Sequence, residues 1–229
     1  MAVPSPLGTR QTVAALLTLT VVTGLVDAVS YLRLGHVFVA NMTGNVVFLG
    51  FSVDPHSGLS APSSVIAIAG FALGALAGGR TAHSLAEANP GRWLGTALIA
   101  ESIVLGIVAV LTGTDVLPFT GHGSLVTIAL LAAALGVQNS TIRYLGVPDL
   151  TTTVLTLTLT GLAADNALAG GPGAKPHRRL GSIAAMLAGA AAGTGILQWS
   201  ATAAIATAAI LVAAVTALVI ADGSVKRLV

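Results

Sequence analysis

Long apolar runs alternate with short polar intervals along the whole chain, and polar residues enter the runs at only a few places. The apolar stretches cover residues 12–33, 37–53, 61–79, 93–112, 123–144, 149–169, 180–199 and 201–221. A helix needs about 20 apolar residues to cross ~30 Å of hydrocarbon, so each stretch is long enough, or nearly so, to be a membrane helix. The polar intervals, such as "DPHSGLSAP", "RTAHSLAEANPGR", "TGTDVLPFTGHG" and "GGPGAKPHR", are too short to fold as soluble domains. The pattern therefore predicts an all-α polytopic membrane protein, with residues 1–229 forming a single integral membrane domain.

Two stretches depart from this regularity. "FVANMTGNVVFLG" (Phe38 to Gly50) sets Asn41, Thr43 and Asn45 around Gly44 inside an apolar run. "TTTVLTLTLTG" (Thr151 to Gly161) alternates threonine with aliphatic residues in the manner of a half-buried strand. An isolated strand cannot satisfy its backbone in lipid, so a helix is expected there too. On such a helix Thr153, Thr156 and Thr160 fall toward one side.

Charge placement decides how the irregular stretches are counted. If all eight cross, the loop carrying Arg80 and Arg92 falls on the outer side, against the positive-inside tendency. If residues 37–53 and 149–169 instead enter and leave on one side, Arg10, Arg80, Arg92, Arg143, Lys175, Arg178, Arg179, Lys226 and Arg227 all become cytoplasmic, and only Arg33 lies outside. The expectation is about six full transmembrane helices plus two short broken or re-entrant segments, with seven or eight full spans as the alternative.

Composition agrees with the pattern and removes several classes of function. The 229 residues are 55% hydrophobic and 8% charged, whereas about a quarter of a soluble domain is charged. The absence of cysteine excludes disulfides, thiol catalysis and Cys-ligated metals. Net charge is +2, carried at segment ends, with no basic patch to bind nucleic acid. The first run could pass for a signal peptide, but its length and the lack of a small-x-small cleavage site favour an uncleaved span.

The two halves of the chain resemble one another. "GLVDAVSYL" (Gly24 to Leu32) is similar to "GVQNSTIRYL" (Gly136 to Leu145), placing Asp27 opposite Asn139 and Tyr31 opposite Arg143. Further on, "ANMTG" meets "TVLTL", with Thr43 opposite Thr156, at a shared offset of 112 to 113 residues. Pseudo-repeats of about 12–112 and 123–221 follow; with three full spans each they are inverted, as in many secondary transporters. Gly70, Gly74 and Gly78, and in the second half Gly189 and Gly193, recur every four residues, a spacing that clears one helix face for close packing.

Ionisable residues inside a membrane helix are costly and mark candidate sites. Asp27 and Glu101 are the acidic ones, and pairing of Asp27 with Arg143 across the repeats would neutralise both charges. Gln138, Asn139, Gln198 and the threonines complete a set that could line a solute path or simply join helices by hydrogen bonds. His36, His56, His83, His122 and His177 lie in loops or at span ends without metal-binding spacing, and no phosphate loop, dinucleotide fingerprint or nucleophile elbow occurs. No metal, cofactor or enzymatic activity is expected.

"TGLVDAVSYLRLGHVFVANMTGNVVFLG" together with "LGVQNSTIRYLGVPDLTTTVLTLTLTG" resembles the YoaK-like family of bacterial multispanning membrane proteins (DUF1275, a domain of unknown function), over about Thr12 to Ala221. Gly24, Asp27, Ala28, Asn41, Met42, Thr43, Gly44 and Asn45 carry the first motif; Gly136, Gln138, Asn139, Thr152, Thr153 and Thr156 carry the second, in which Leu157 stands where a glycine is expected. The resemblance implies a multi-pass protein of the bacterial cytoplasmic (inner) membrane and supplies no reaction or substrate. The expected function is transport or conduction of a small solute or ion, with the lipid bilayer and a second copy of the chain as further partners. The alternatives are a non-transporting structural or signalling membrane protein and, less favoured, an intramembrane enzyme acting on a lipid-linked substrate.

Overall fold

The computed structural model describes residues 5–147, 155–165, 170 and 176–225. Among these, eight helices follow one another with no strand: α1 (Thr9–Arg33), α2 (Met42–Phe51), α3 (Ala61–Leu85), α4 (Pro90–Gly113), α5 (Gly121–Leu145), α6 (Leu155–Ala164), α7 (Pro176–Leu197) and α8 (Ala201–Val225). Six are long and apolar enough to cross a bilayer. The other two, α2 and α6, have ten described residues each, about 15 Å of helix, short of the ~30 Å of a span. The chain is thus six-spanning rather than seven- or eight-spanning, and the alternating threonines from Leu155 onward are helical.

Local sequence explains the helix boundaries. Pro62 and Pro90 stand in the first turns of α3 and α4, where a missing N–H costs nothing; Ser60 Oγ and Asn89 Oδ1 accept from the amides of Ser63 and Arg92 at 3.2 and 3.1 Å. Gly146 ends α5 in the left-handed conformation at φ 59°. Helix threonines mostly turn their hydroxyls back on their own backbone: Thr20, Thr23, Thr112 and Thr216 each donate to the carbonyl four residues earlier at 2.8–3.0 Å. Their polarity is satisfied without any solvent.

Helix packing is organised by the glycine columns. A Cβ on Gly70 would lie 2.9 Å from the Ala129 carbonyl oxygen, and those on Gly74 and Gly78 would run into the Ala133 backbone and the Ser140 hydroxyl, so α3 lies directly against α5. In the same way Gly189 and Gly193 of α7 lie against Val21 and Leu25 of α1. Small residues allow this approach, and dispersion contacts rather than the hydrophobic effect hold helices together in lipid.

These contacts come in matched sets. Ala133 and Val137 follow Val21 and Leu25 by 112 residues, and Gly189 and Gly193 follow Gly74 and Gly78 by 115. Reciprocally, Gly24 faces the Met186 carbonyl and Ala190 amide, while Gly136 faces those of Phe71 and Ala75, again 115 residues apart. Pairing of α4 with α8 maps onto itself, and the pairs α1·α8 and α2·α3 have counterparts in α5·α4 and α6·α7. The internal pseudo-symmetry therefore extends to individual backbone contacts.

Strand sense follows from the residue pairs. Partners rise together along α1 and α7 and along α3 and α5, so each pair is parallel. Ser5, Leu7 and Thr12 meet Leu94, Leu145 and Val219 around one cavity, which puts the starts of α1 and α4 beside the ends of α5 and α8. The halves are consequently inverted relative to each other. Arg10, Arg80, Arg92, Arg143, Arg178 and Arg179 all gather at that end, while Arg33 caps the far end by donating to the Leu197 carbonyl at 3.1 Å. The positive-inside tendency makes the arginine-rich end cytoplasmic.

Burial is graded across the bundle. The pseudo-equivalent helices α1 and α5 are innermost, α4 and α8 come next, and α3 and α7 are outermost. Ile99, Ile103, Ile107 and Val110 form an exposed apolar stripe along α4, suited to acyl chains.

Candidate functional site

The buried acids of the bundle mark two places, a break in the helical backbone near the outer end, beside Asp27, and Glu101 at mid-depth. At the break, α1 ends at Arg33 and the chain reverses through Gly35 (φ 94°) and His36 (φ 57°), both left-handed. It then runs back down α1 as an extended segment whose Val37, Val39 and Ala40 are buried. Non-helical backbone at this depth must find partners within the protein.

Two side chains supply them. Asp27 Oδ1 accepts from the amides of Val39 and Ala40, both at 2.9 Å. Asn45 pairs with Phe38 in both directions: its Oδ1 accepts from the Phe38 amide at 2.9 Å, and its Nδ2 donates to the Phe38 carbonyl at 2.6 Å. Asp27 lies six residues before the end of α1, so the segment descends about 9 Å back into the bundle before α2 starts. The amino terminus of α2 thus points inward with a carboxylate beside it, which suits the positive end of a helix dipole.

An aromatic cluster closes the break. Tyr31 stacks on Phe38 with centroids 5.1 Å apart, and Phe48 lies 5.6 Å from Phe38 and 6.0 Å from Tyr31. A Cβ on Gly44 would come within 2.8 Å of the Phe38 ring, so this glycine makes room for an aromatic ring rather than relaxing the backbone. Asn41 is half-buried at the start of α2, and Thr43 is exposed on its outer side. Of the three polar residues in "ANMTGN", Asn45 alone is fully buried.

The Asp27–Arg143 pair does not form. Arg143 is exposed two residues from the cytoplasmic end of α5, whereas Asp27 sits near the outer end of the antiparallel α1, roughly 25 Å away along the bundle. Backbone amides, not an arginine, hold the carboxylate.

In the second half, Asn139 stands at the position of Asp27, half-buried, with Nδ2 donating to the Leu135 carbonyl at 2.9 Å. Thr152 and Thr153 lie outside the described residues. Thr156 is exposed like its counterpart Thr43, and Thr158, 113 residues after Asn45, is the buried residue of α6 as Asn45 is of α2. The offset in the sequence already contained that equivalence, hidden by the change from amide to hydroxyl. At the cytoplasmic end of α6, Arg179 donates to Asp165 at 2.7 Å across the face cleared by Gly161.

At mid-depth, Glu101 is buried on the inner face of α4 with Leu94, Leu98 and Leu105, and neither carboxyl oxygen has a hydrogen-bond partner. Gln138 of α5 is equally buried; its Nε2 donates to Thr23 Oγ1 at 3.0 Å, joining the two central helices, while its Oε1 is unpartnered. Thr23 gave no signal beyond being one of several threonines in α1. Gln198 is exposed at the outer end of α7. Among the described residues no group of three or more His, Asp or Glu side chains is placed to hold a metal ion.

Comparisons with known proteins converge on one family. Residues 15–218 match the family described as "Protein of unknown function (DUF1275)". The UPF0700 transmembrane protein YoaK of Bacillus subtilis (strain 168) is similar, 33% identical over 159 residues, which is 68% of this chain and 67% of that protein. No solved structure matches the chain.

Proposed function

The chain belongs to the DUF1275 family of bacterial multi-pass membrane proteins, and we propose that it is a transporter or channel for a small solute or ion. The observation that carries this reading is the inverted repeat with a short helix that begins inside the bundle beside a buried carboxylate. Secondary transporters place discontinuous helices at repeat interfaces in this way, because half-helix termini and unwound backbone offer ligands that an intact helix cannot. Two carboxylates buried in an apolar bundle add to it, since purely structural helix contacts in lipid are made by small and neutral polar residues at far lower cost. The narrow cavity between α1, α4, α5 and α8 suits a closed state of such a protein.

The test is reconstitution of the full chain into liposomes, with protein-dependent uptake screened against panels of labelled small solutes and with dyes for H⁺, Na⁺ and K⁺. Saturable flux that falls in Asp27→Asn supports the reading. No flux across the panel, together with a stoichiometric copurifying chain, would establish the structural or signalling alternative instead.

A further inference from the structure

Glu101 has no role in the architecture described so far. It is 1% exposed, it lies at the twelfth residue of a 24-residue membrane helix, and both of its oxygens lack a hydrogen-bond partner. Asp27, by contrast, anchors two backbone amides. A carboxylate that holds nothing is an expensive residue for a membrane helix to carry.

Its position relative to the cavity is informative. The cavity, about 10 Å³ and so with room for about one water, opens among Ser5, Leu7 and Thr12 at the cytoplasmic end and reaches Leu19, Leu98 and Gln138 at its inner end. Leu94 and Leu98 line it, and Glu101 is the next residue on the same α4 stripe, about 4.5 Å further in. Gln138 borders the cavity's inner end with its buried Oε1 unpartnered, while the Thr12 and Thr141 hydroxyls are donated to backbone carbonyls. The cavity thus comes within one turn of an unpartnered acid.

We infer that Glu101 is a proton-binding site, loaded and unloaded from the cytoplasmic end of the bundle, the side on which this cavity lies. The step is the addition of one proton to a carboxylate oxygen, taking the side chain from −1 to neutral. No countercharge is at hand to keep it ionised: α5 has His122 and Arg143 only near its ends, α8 has no ionisable residue before Asp222, α1 has Arg10, Asp27 and Arg33, and α3 has Arg80 and His83 near its cytoplasmic end. A metal cation fits poorly, because hard cations such as Ca²⁺ or Mg²⁺ gather six or more oxygens. The Glu101 oxygens have no polar neighbour within hydrogen-bonding reach, whereas a proton needs a single oxygen.

The inference deepens the transport reading by naming the coupled ion, but proton binding is measurable without flux. The full chain in liposomes is treated with dicyclohexylcarbodiimide, which reacts with protonated carboxyls in apolar surroundings, and adducts are mapped by mass spectrometry across pH. The expected result is an adduct on Glu101 whose rate of formation falls about tenfold per pH unit above a midpoint, with Na⁺ having no effect. Infrared difference spectra between low and high pH should show a protonated-carboxyl band that is lost in Glu101→Gln and retained in Asp27→Asn. Labelling of Glu101 that does not change with pH, no labelling at all, or competition by Na⁺ overturns the proposal; labelling is read on the wild-type chain, so failure of the variant to fold leaves it decisive. A titrating Glu101 in a chain without flux would remove the transport reading alone, and flux without titration would remove this inference alone.

Discussion

Replacing Asp27 by alanine isolates what holds the broken backbone in place. The substitution removes the acceptor of the Val39 and Ala40 amides, both at 2.9 Å and both on fully buried residues. Side-chain hydrogen bonds between membrane helices average only about 0.6 kcal/mol, because the separated helices find other partners. That small figure does not apply here. The amides belong to a segment fixed against α1, and each one orphaned in a buried site costs about 1–3 kcal/mol, giving about 2–6 kcal/mol for the pair. Asp27→Asn keeps an acceptor at Oδ1 but loses the charge assistance and puts an Nδ2 donor where Oδ2 has no partner, a cost of about 1–3 kcal/mol. Reversible unfolding of the purified protein in mixed detergent micelles gives both values, and hydrogen exchange at Val39 and Ala40 shows whether the loss is local. If the alanine variant lies within about 0.5 kcal/mol of wild type with unchanged exchange at these amides, the carboxylate is not the seat of the break and the reasoning fails.

Two further outcomes follow from the fold. Gly74→Ala and Gly189→Ala place a methyl against equivalent carbonyls, Ala133 and Val21, that belong to rigid helix backbone; each should destabilise by about 1–3 kcal/mol, whereas Gly106→Ala, with open space around it, should be neutral. Unequal losses at the paired sites, read by the same unfolding assay, would mean that the pseudo-symmetry does not extend to energetics. Because the chain has no cysteine, single cysteines report topology directly: His56→Cys and Thr114→Cys should react with a membrane-impermeant maleimide from outside intact cells, and Ser84→Cys only after lysis. Labelling of position 84 from outside intact cells, with position 56 reacting only after lysis, would refute the re-entrant placement of α2.

Much of the architecture could be read from residue order. The apolar runs and the arginine distribution together predict six spans and two short segments, because a bilayer imposes a length on each helix and a bias on each loop. The glycine spacing identified the contact faces for a similar reason: on any helix, residues four apart lie above one another, so Gly74 and Gly78 had to share a face before their partner was known. The 112-residue offset likewise pointed to equivalent positions, and Asn45 and Thr158 bear it out at a place where the residue types differ.

Which polar groups meet was decided only by tertiary structure. Sequence offered Asp27 an arginine one helical turn beyond its matching position, Asn139, in the other repeat, but inversion of the repeats sends Asp27 and Arg143 toward opposite ends of the bundle, and the carboxylate takes the backbone of Val39 and Ala40 instead. Asn41, Thr43 and Asn45 look alike in a linear run; the turn at Gly35 and His36 determines that Asn45 faces inward to Phe38 while Thr43 faces out. Glu101 and Asp27 were equivalent as intramembrane acids, and the fold separates them into one whose Oδ1 holds two amides, with Oδ2 unpartnered, and one with nothing to hold. Length, hydropathy and helical periodicity are properties of a segment taken alone, so the sequence determines them. A hydrogen-bond partner depends on where the chain returns in space, and for this protein the breaks and the inversion of its two halves set that return.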